Sequence, residues 1–278
     1  MSDGVVRALT EDGAFRVVVV DTTDTVAFAV RAQEAKGASA RLLGELMTGA
    51  VLVRETMAPG SRVQGILKGA GGSGMMLGDA HPEGVTRGLA QASGERPLAA
   101  EGALLQFMRT LANGALHQGI VEVEAGSIDR ALMTYFQQSE QVETALGVAC
   151  VLDGDQVVAA GGYLVQLLPE AEAPAMRAML ERLGALPSTA ELVARGAGRR
   201  ALVERILTGA AFGVTSDTPL RAGCTCSEDR VVASLATLPR AELRSMRDAR
   251  QPLEIRCDFC RTDYAVALDA IERLLDAN

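Results

Sequence analysis

Four cysteines in the last fifth of the chain carry the strongest chemical signal in the sequence. Cys224 and Cys226 flank one residue, Cys257 and Cys260 flank two, and thirty residues separate the pairs. A thiol that has lost its proton is a soft, strong metal ligand, and each close pair can present two sulfurs from one tight turn. Four such sulfurs satisfy the tetrahedral preference of Zn²⁺, with Zn–S distances of about 2.3 Å. On spacing alone, a closed four-thiolate site reads as a structural staple. The fifth cysteine, Cys150, stands between Ala149 and Val151 in a strand-like run. It reads as a buried, inert thiol.

The same four residues also permit redox chemistry. Zinc does not change oxidation state, but its thiolate ligands do. An oxidant converts a thiolate to sulfenic acid, and a neighbouring thiol condenses with it to a disulfide. A site that loses two ligands loses its metal, and structural zinc supplies on the order of 10 kcal/mol or more of folding energy. A module of this size has little core of its own, so oxidation should unfold it, together with any helices that depend on it.

Little else suggests catalysis, and the chain reads as a non-enzyme. Its two histidines, His81 and His117, lie in strand-and-turn patterns and read as surface or hydrogen-bonded residues. The acid pairs Asp21/Asp24 and Glu122/Glu124 sit at turns or on an exposed strand face, where solvation accounts for them. Gly69 to Gly74 formally contains G-x-G-x-x-G, but Met75-Met76-Leu77-Gly78 follows rather than a helix. A glycine-rich hairpin loop is the better reading.

Composition sets further limits. The 278 residues carry a formal charge of -8, which argues against a nucleic-acid partner. Apolar residues make up 48% and aromatics only 3%, so the expected core is aliphatic. No apolar run reaches the length of a membrane span. Met1-Ser2-Asp3-Gly4 does not resemble an export leader, and a cytoplasmic location is expected. Thiols stay reduced there, so paired cysteines favour metal or redox chemistry over structural disulfides.

The elements that must position the cysteines follow from periodicity. Val5-Val6 and Phe15–Val20 flank Glu11-Asp12-Gly13, a hairpin signal, and Val17–Val20 suits a strand buried on both faces. A helix is expected from about Thr25 to Lys36, ended by Gly37. A second, capped by Ser39, should run through Met57 with Leu42, Leu43, Leu46, Val51 and Leu52 on its apolar face. Hairpins are expected across 62–92, around Asn113-Gly114, and around Asp153-Gly154-Asp155. Ser127 caps a helix to about Glu140. From Pro169 the pattern becomes helical, with Met176, Met179, Leu180 and Leu183 on one face and a Ser188–Glu191 capping box. In the last segment Ser227 caps a helix that Pro239 ends. Leu253–Arg256 is a short strand, Tyr264–Leu268 returns, and 269–277 is a closing helix.

The expected architecture is α+β in three parts. Residues 1–169 form an antiparallel-sheet domain with helices, 170–220 a metastable helical linker, and 221–278 a small zinc-binding domain.

These residues resemble a known family, the 33 kDa chaperonins, which are redox-regulated bacterial holdases. Cys224-Thr225-Cys226-Ser227 and Cys257-Asp258-Phe259-Cys260 match its C-x-C and C-x-x-C pairs. Ala40–Ala50 resembles its early helix, Tyr135-Phe136-Gln137-Gln138-Ser139-Glu140-Gln141 its Y-F-x-x-S-E-Q, and Gly161–Pro169 the end of its first domain. The resemblance implies an ATP-independent chaperone that is a poor holdase while reduced and zinc-bound. Oxidants would form two disulfides, Cys224–Cys226 and Cys257–Cys260, and release one Zn²⁺ per chain. The zinc domain and linker would then unfold, and apolar surface on the linker and first domain would hold unfolding client proteins. Activated members commonly dimerise. Glu228-Asp229 after the first pair is more acidic than the family pattern, which would raise thiol pKa and slow oxidation. The aliphatic composition makes Met75, Met76, Met176 and Met179 candidates for client contact. The competing reading is a binding adaptor whose zinc is purely structural.

Overall fold

The computed structural model describes residues 2–92, 98–110, 114–124, 127–169, 171–251 and 253–277. The chain divides into two compact units, Met1–Gly223 and Cys224–Asn278.

The first unit opens with the hairpin β1 (Gly4–Thr10) and β2 (Phe15–Asp21), then α1 (Thr23–Ala32) and α2 (Gly37–Glu55). A meander follows: β3 (Val63–Lys68), β4 (Gly74–Ala80), β5 (Val85–Ala92), β6 (Leu104–Thr110) and β7 (Leu116–Glu122). Next come α3 (Ile128–Tyr135), β8 (Thr144–Asp153) and β9 (Gln156–Leu167). Three helices, α4 (Ala173–Gly184), α5 (Thr189–Ala194) and α6 (Arg199–Ile206), lead to β10 (Phe212–Pro219) and β11 (Arg221–Ala222).

Two sheets result. One has the order β10-β1-β2-β9-β8 and is antiparallel throughout; the other runs β11-β5-β4-β3-β6-β7. Among the described residues only the two-residue β11–β5 pairing is parallel. The antiparallel α+β architecture expected from the sequence is present. The Gly69–Gly74 segment holds a short 3₁₀ turn inside the β3–β4 hairpin, as its failure to open a helix implies. Strands β6 and β7 pair antiparallel, and Asn113 of the Asn113-Gly114 turn expected between them lies outside the described residues.

Helix α2 packs against both sheets, so it has no solvated stripe through its middle. Twelve of its nineteen residues are buried, and the single apolar face expected for it is replaced by burial on most sides. The close approach needs small residues: a Cβ on Gly78 of β4 would stand 3.0 Å from the Met47 Cα. Two expectations about its start are corrected. Gly37, at φ +50°, is the first residue of α2 rather than the stop of α1. Ser39 lies within the first turn, and the cap position belongs to Lys36, which makes no side-chain cap.

The other face of the five-stranded sheet is covered by α4 and α6. Val6, Ala8, Val17, Val19 and Val165 pack there with Met179, Val203, Ile206 and Leu207. Val18 and Val20 point to the α2 side, so the valine run of β2 is buried on both faces, as its composition predicts. On α4 the expected face turns out narrower. Met179 is buried and Leu183 partly so, while Leu180 is 64% and Met176 36% exposed. The capping box at Ser188 and Glu191 forms on both sides. Strand β10 falls inside the span read as helical; it pairs along the whole of β1.

The second unit contains α7 (Glu228–Leu235), α8 (Arg240–Asp248), the hairpin β12 (Leu253–Arg256) and β13 (Asp263–Val266), and α9 (Leu268–Ala277). Its core is small: Leu235, Leu243, Val266, Ala270, Ile271 and Leu275. Helix α8 lies where no element was expected. Helix α7 stops at Leu235, short of Pro239, which does not break it as expected but occupies the N-cap of α8.

Candidate metal centre

The two cysteine pairs come from two different local structures. Cys224 and Cys226 lie on the extended segment that enters α7, where Ser227 caps the helix by accepting from the Arg230 N–H. Arg230 reaches back to donate to the Thr225 carbonyl at 2.6 Å, which folds the segment over the helix start. Cys257 and Cys260 lie on the turn of the β12–β13 hairpin. The turn is closed by Cys257 N–H donating to Thr262 O at 2.9 Å and Arg261 N–H donating to Cys257 O at 2.8 Å. Arg261 takes the left-handed conformation, φ +60°, which reverses the chain. An Arg256–Asp263 ion pair clamps the hairpin just below it.

The four sulfurs lie within 4.8 Å of one another. Cys226 Sγ is 3.3 Å from Cys260 Sγ, and Cys224 Sγ is 3.9 Å from Cys257 Sγ. All four are free thiols in this arrangement. A regular ZnS₄ tetrahedron with bonds of about 2.3 Å has edges of about 3.8 Å. The sulfurs are therefore grouped at the scale that a tetrahedral ion requires.

The electrostatics point the same way. Burial works against ionisation of Cys260, but hydrogen bonds from the Thr262 side chain and backbone, and from the Cys226 and Cys257 thiols, hold it down to about 7. Burial pushes Cys226 up to about 12, with the Cys260 and Cys224 sulfurs adding to the shift against a hydrogen bond from Tyr264. Burial also raises Cys257, although the Phe259 and Cys260 amides donate to it. One thiol ionises only while its neighbours keep their protons. A divalent cation among them removes that conflict, because it makes every thiolate favourable at once. The donor set and its spacing fit zinc.

Two residues of this site were not anticipated from the sequence. Tyr264 places its hydroxyl 3.0 Å from Cys226 Sγ, and Thr262 places its own 3.2 Å from Cys260 Sγ. Their position just past the second pair, on a strand returning from its turn, was the available signal. Such partners orient sulfur ligands.

The other singled-out residues lie in the first unit and join no cluster with these four. Cys150 is buried in β8, 3.9 Å from the Ala40 carbonyl, and burial pushes its thiol up to about 12. It is buried, as its surroundings predict. His81 contacts the buried Asp79 carboxylate, which also binds Arg62 and Arg87. His117 lies on β7. Among the four methionines, Met76 and Met179 are buried, which removes them as client contacts in this state.

A family model described as "Hsp33 protein" matches residues 3–267. The chain belongs to the Hsp33 family. The 33 kDa chaperonin of Syntrophotalea carbinolica is 32% identical over 99% of this chain and 100% of that protein. The 33 kDa chaperonin of Streptococcus gordonii is 28% identical, covering 98% of each. The crystal structure of the 33 kDa chaperonin (heat shock protein 33 homolog) from Thermotoga maritima superimposes with a TM-score of 0.85. It is 23% identical and covers 100% of this chain and 99% of that one. Hsp33 membership makes this chain a member of a chaperone family with a stress-response connection. No helix among the described residues is long and apolar enough to cross a membrane.

Proposed function

We propose that this chain is an oxidation-activated, ATP-independent holdase, and that Cys224, Cys226, Cys257 and Cys260 are both its zinc ligands and its redox-active residues. The observation that carries the reading is the grouping of four thiols within 4.8 Å in a unit whose own core is six buried apolar residues. A core of that size gives little independent stability. Bound there, Zn²⁺ would keep four thiolates deprotonated and tie the start of α7 to the β12–β13 turn.

The chain's own residues do the rest. Peroxide oxidises one thiolate to sulfenic acid and leaves as hydroxide. The neighbouring thiol of the same pair attacks the sulfenic sulfur, and water leaves as the disulfide forms. Disulfides within each pair, Cys224–Cys226 and Cys257–Cys260, consume all four ligands. They leave no covalent tie between the two loops, so the unit loses its crosslink.

The consequence for holding lies in the first unit. Helices α4 and α6 cover Val6, Ala8, Val17, Val19 and Val165 with few buried side chains of their own. Loss of the second unit frees the chain that follows β11. Release of α4–α6 would then bare this aliphatic face and their own apolar residues for unfolding clients in the cytoplasm. Holding needs no nucleotide, and the bared faces can also pair two activated copies.

The test is light scattering of a heat-unfolding client, with reduced and peroxide-treated protein, while a chromogenic chelator reports zinc. The expected result is about one zinc released per chain and suppressed aggregation, only after oxidation. Zinc release without suppression would make the site a staple and favour an adaptor.

A further inference from the structure

A cleft of 840 Å³ in the first unit is lined by four arginines, Arg7, Arg16, Arg54 and Arg221, against two carboxylates, Glu55 and Glu83. In a chain of net charge -8 this is a concentration of the minority sign. Its origin is visible in the strands. On the α2 side of β1 and β2, Val5, Val18 and Val20 belong to the core. Alternation carries that same face on to Arg7, which pairs with Val18, and to Arg16, which pairs with Leu9. At this end the apolar column gives way to charge, beside the last turn of α2.

The charges there do not balance. Glu55 is fully buried at its side chain and ion-pairs with both Arg7 and Arg54. One carboxylate cannot neutralise two guanidiniums. Burial, and then the Arg7 charge, weaken the proton affinity of Arg54, against the Glu83 charge. The Arg7 Nε–H is buried with no partner among the described residues. Arg16 makes a 3.4 Å contact with Gln166, and neither it nor Arg221 forms an ion pair among the described residues. Surplus positive charge, a buried unpaired donor and space beyond one small ion suit a ligand with several acceptor oxygens. The cations are all arginine, whose fork pairs with phosphate oxygens two at a time.

We propose that this cleft binds a small molecule through a di- or triphosphate group, held by Arg7, Arg16, Arg54 and Arg221. The group would bridge the C-terminal end of α2, the Pro82–Gly84 turn and the Thr218–Arg221 segment, all of which line the cleft. It would thereby fasten the stretch that leads into the cysteine unit. The inference does not depend on the redox reading, because binding is measured on the reduced protein.

The experiment is calorimetric titration of the reduced full chain with pyrophosphate, tripolyphosphate, ADP and sulfate at matched ionic strength. Pyrophosphate and tripolyphosphate should bind one per chain, at least tenfold tighter than sulfate. The double variant Arg16→Gln/Arg221→Gln, which leaves the Glu55 pairs intact, should weaken them at least tenfold while keeping a native circular-dichroism spectrum. ADP binding tighter than pyrophosphate identifies a nucleotide as the source, and weaker binding identifies an inorganic phosphate; both support the site. Phosphate compounds that bind no tighter than sulfate overturn it, as does undiminished binding by the folded variant. The wild-type comparison decides by itself if the variant does not fold.

Discussion

A Cβ on Gly4 would stand 2.9 Å from the guanidinium carbon of Arg199, the first residue of α6. Arg199 also donates to the Ser2 carbonyl at 2.6 Å, so α6 is latched across the start of β1 at a residue with no side chain. On the other side the Thr218 carbonyl of β10 would be 2.8 Å from the same Cβ. Gly4→Val should displace the Arg199 guanidinium from its seat and press on the β10 backbone at Thr218, loosening the cover of the sheet. We expect a several-fold rise in bis-ANS fluorescence and measurable holdase activity before any oxidant is added. Unchanged dye binding in a folded variant would mean that this latch does not hold the cover in place.

Met179 is the buried anchor of α4 against the sheet, 2% exposed. Met179→Ala should cost about 2–5 kcal/mol of local stability, the usual range for emptying a core site. If α4 detaches without the rest of the unit unfolding, the loss should appear as faster amide exchange confined to 173–184. Activation should also need less peroxide. Exchange that rises evenly across β1, β2 and β9 instead would show that α4 and the sheet open together.

In the reduced cluster, sulfur approaches of 3.3 and 3.9 Å run between the pairs, Cys226 to Cys260 and Cys224 to Cys257. The proposed switch nevertheless needs disulfides within the pairs, since a bond between them would keep the two loops crosslinked. Peptide mapping of peroxide-treated protein under denaturing, thiol-blocked conditions should therefore find Cys224–Cys226 and Cys257–Cys260. Crosslinks between 224–226 and 257–260, with zinc lost, would leave the unit stapled and the switch without a release step. Cys260→Ser should abolish zinc binding, and the chain should then hold clients regardless of redox state.

Burial raises the Glu45 carboxyl to about 7, and the Asp129 charge adds to the shift against Arg41. Asp129 is itself raised by burial. The folded state therefore holds a proton that the unfolded state releases near pH 4.5. The stabilisation is complete below that pH and is lost as pH rises through about 7. Glu45→Gln should match the wild type near pH 4 and exceed it at pH 8 by up to about 3 kcal/mol. Urea midpoints at the two pH values check this, and a variant with no pH-dependent difference would place the proton elsewhere.

Much of the site and the first sheet is legible because local rules set them. Asp-Gly turns flanked by valines define the hairpins at 4–21 and 144–167, and Ser127, Ser188 and Ser227 cap helices where their spacing says they should. The cysteines declare their cluster because ligand spacing is itself local. Three features are not legible, each for a physical reason. Phe212–Pro219 is rich in Gly, Thr, Ser and Asp, and it becomes a strand only through pairing with β1 some two hundred residues earlier. Helix α8 follows a proline, which reads as a stop yet is equally suited to begin a helix. Tyr264 and Thr262 matter only because a hairpin turn folds them back onto the sulfurs.

The place of β10 in the sheet order has a further consequence. It is an outer strand, and its rim carries Asp217 and Pro219, residues that discourage another chain from pairing there. Behind it, β1 reads Gly-Val-Val-Arg-Ala-Leu-Thr, with no proline and no acid. If β10 leaves together with α4–α6, one side of β1 is left with a row of unmet N–H and C=O groups. The opened molecule would then offer an unfolding chain hydrogen-bonding backbone as well as oily surface, and any extended segment could take it up whatever its side chains.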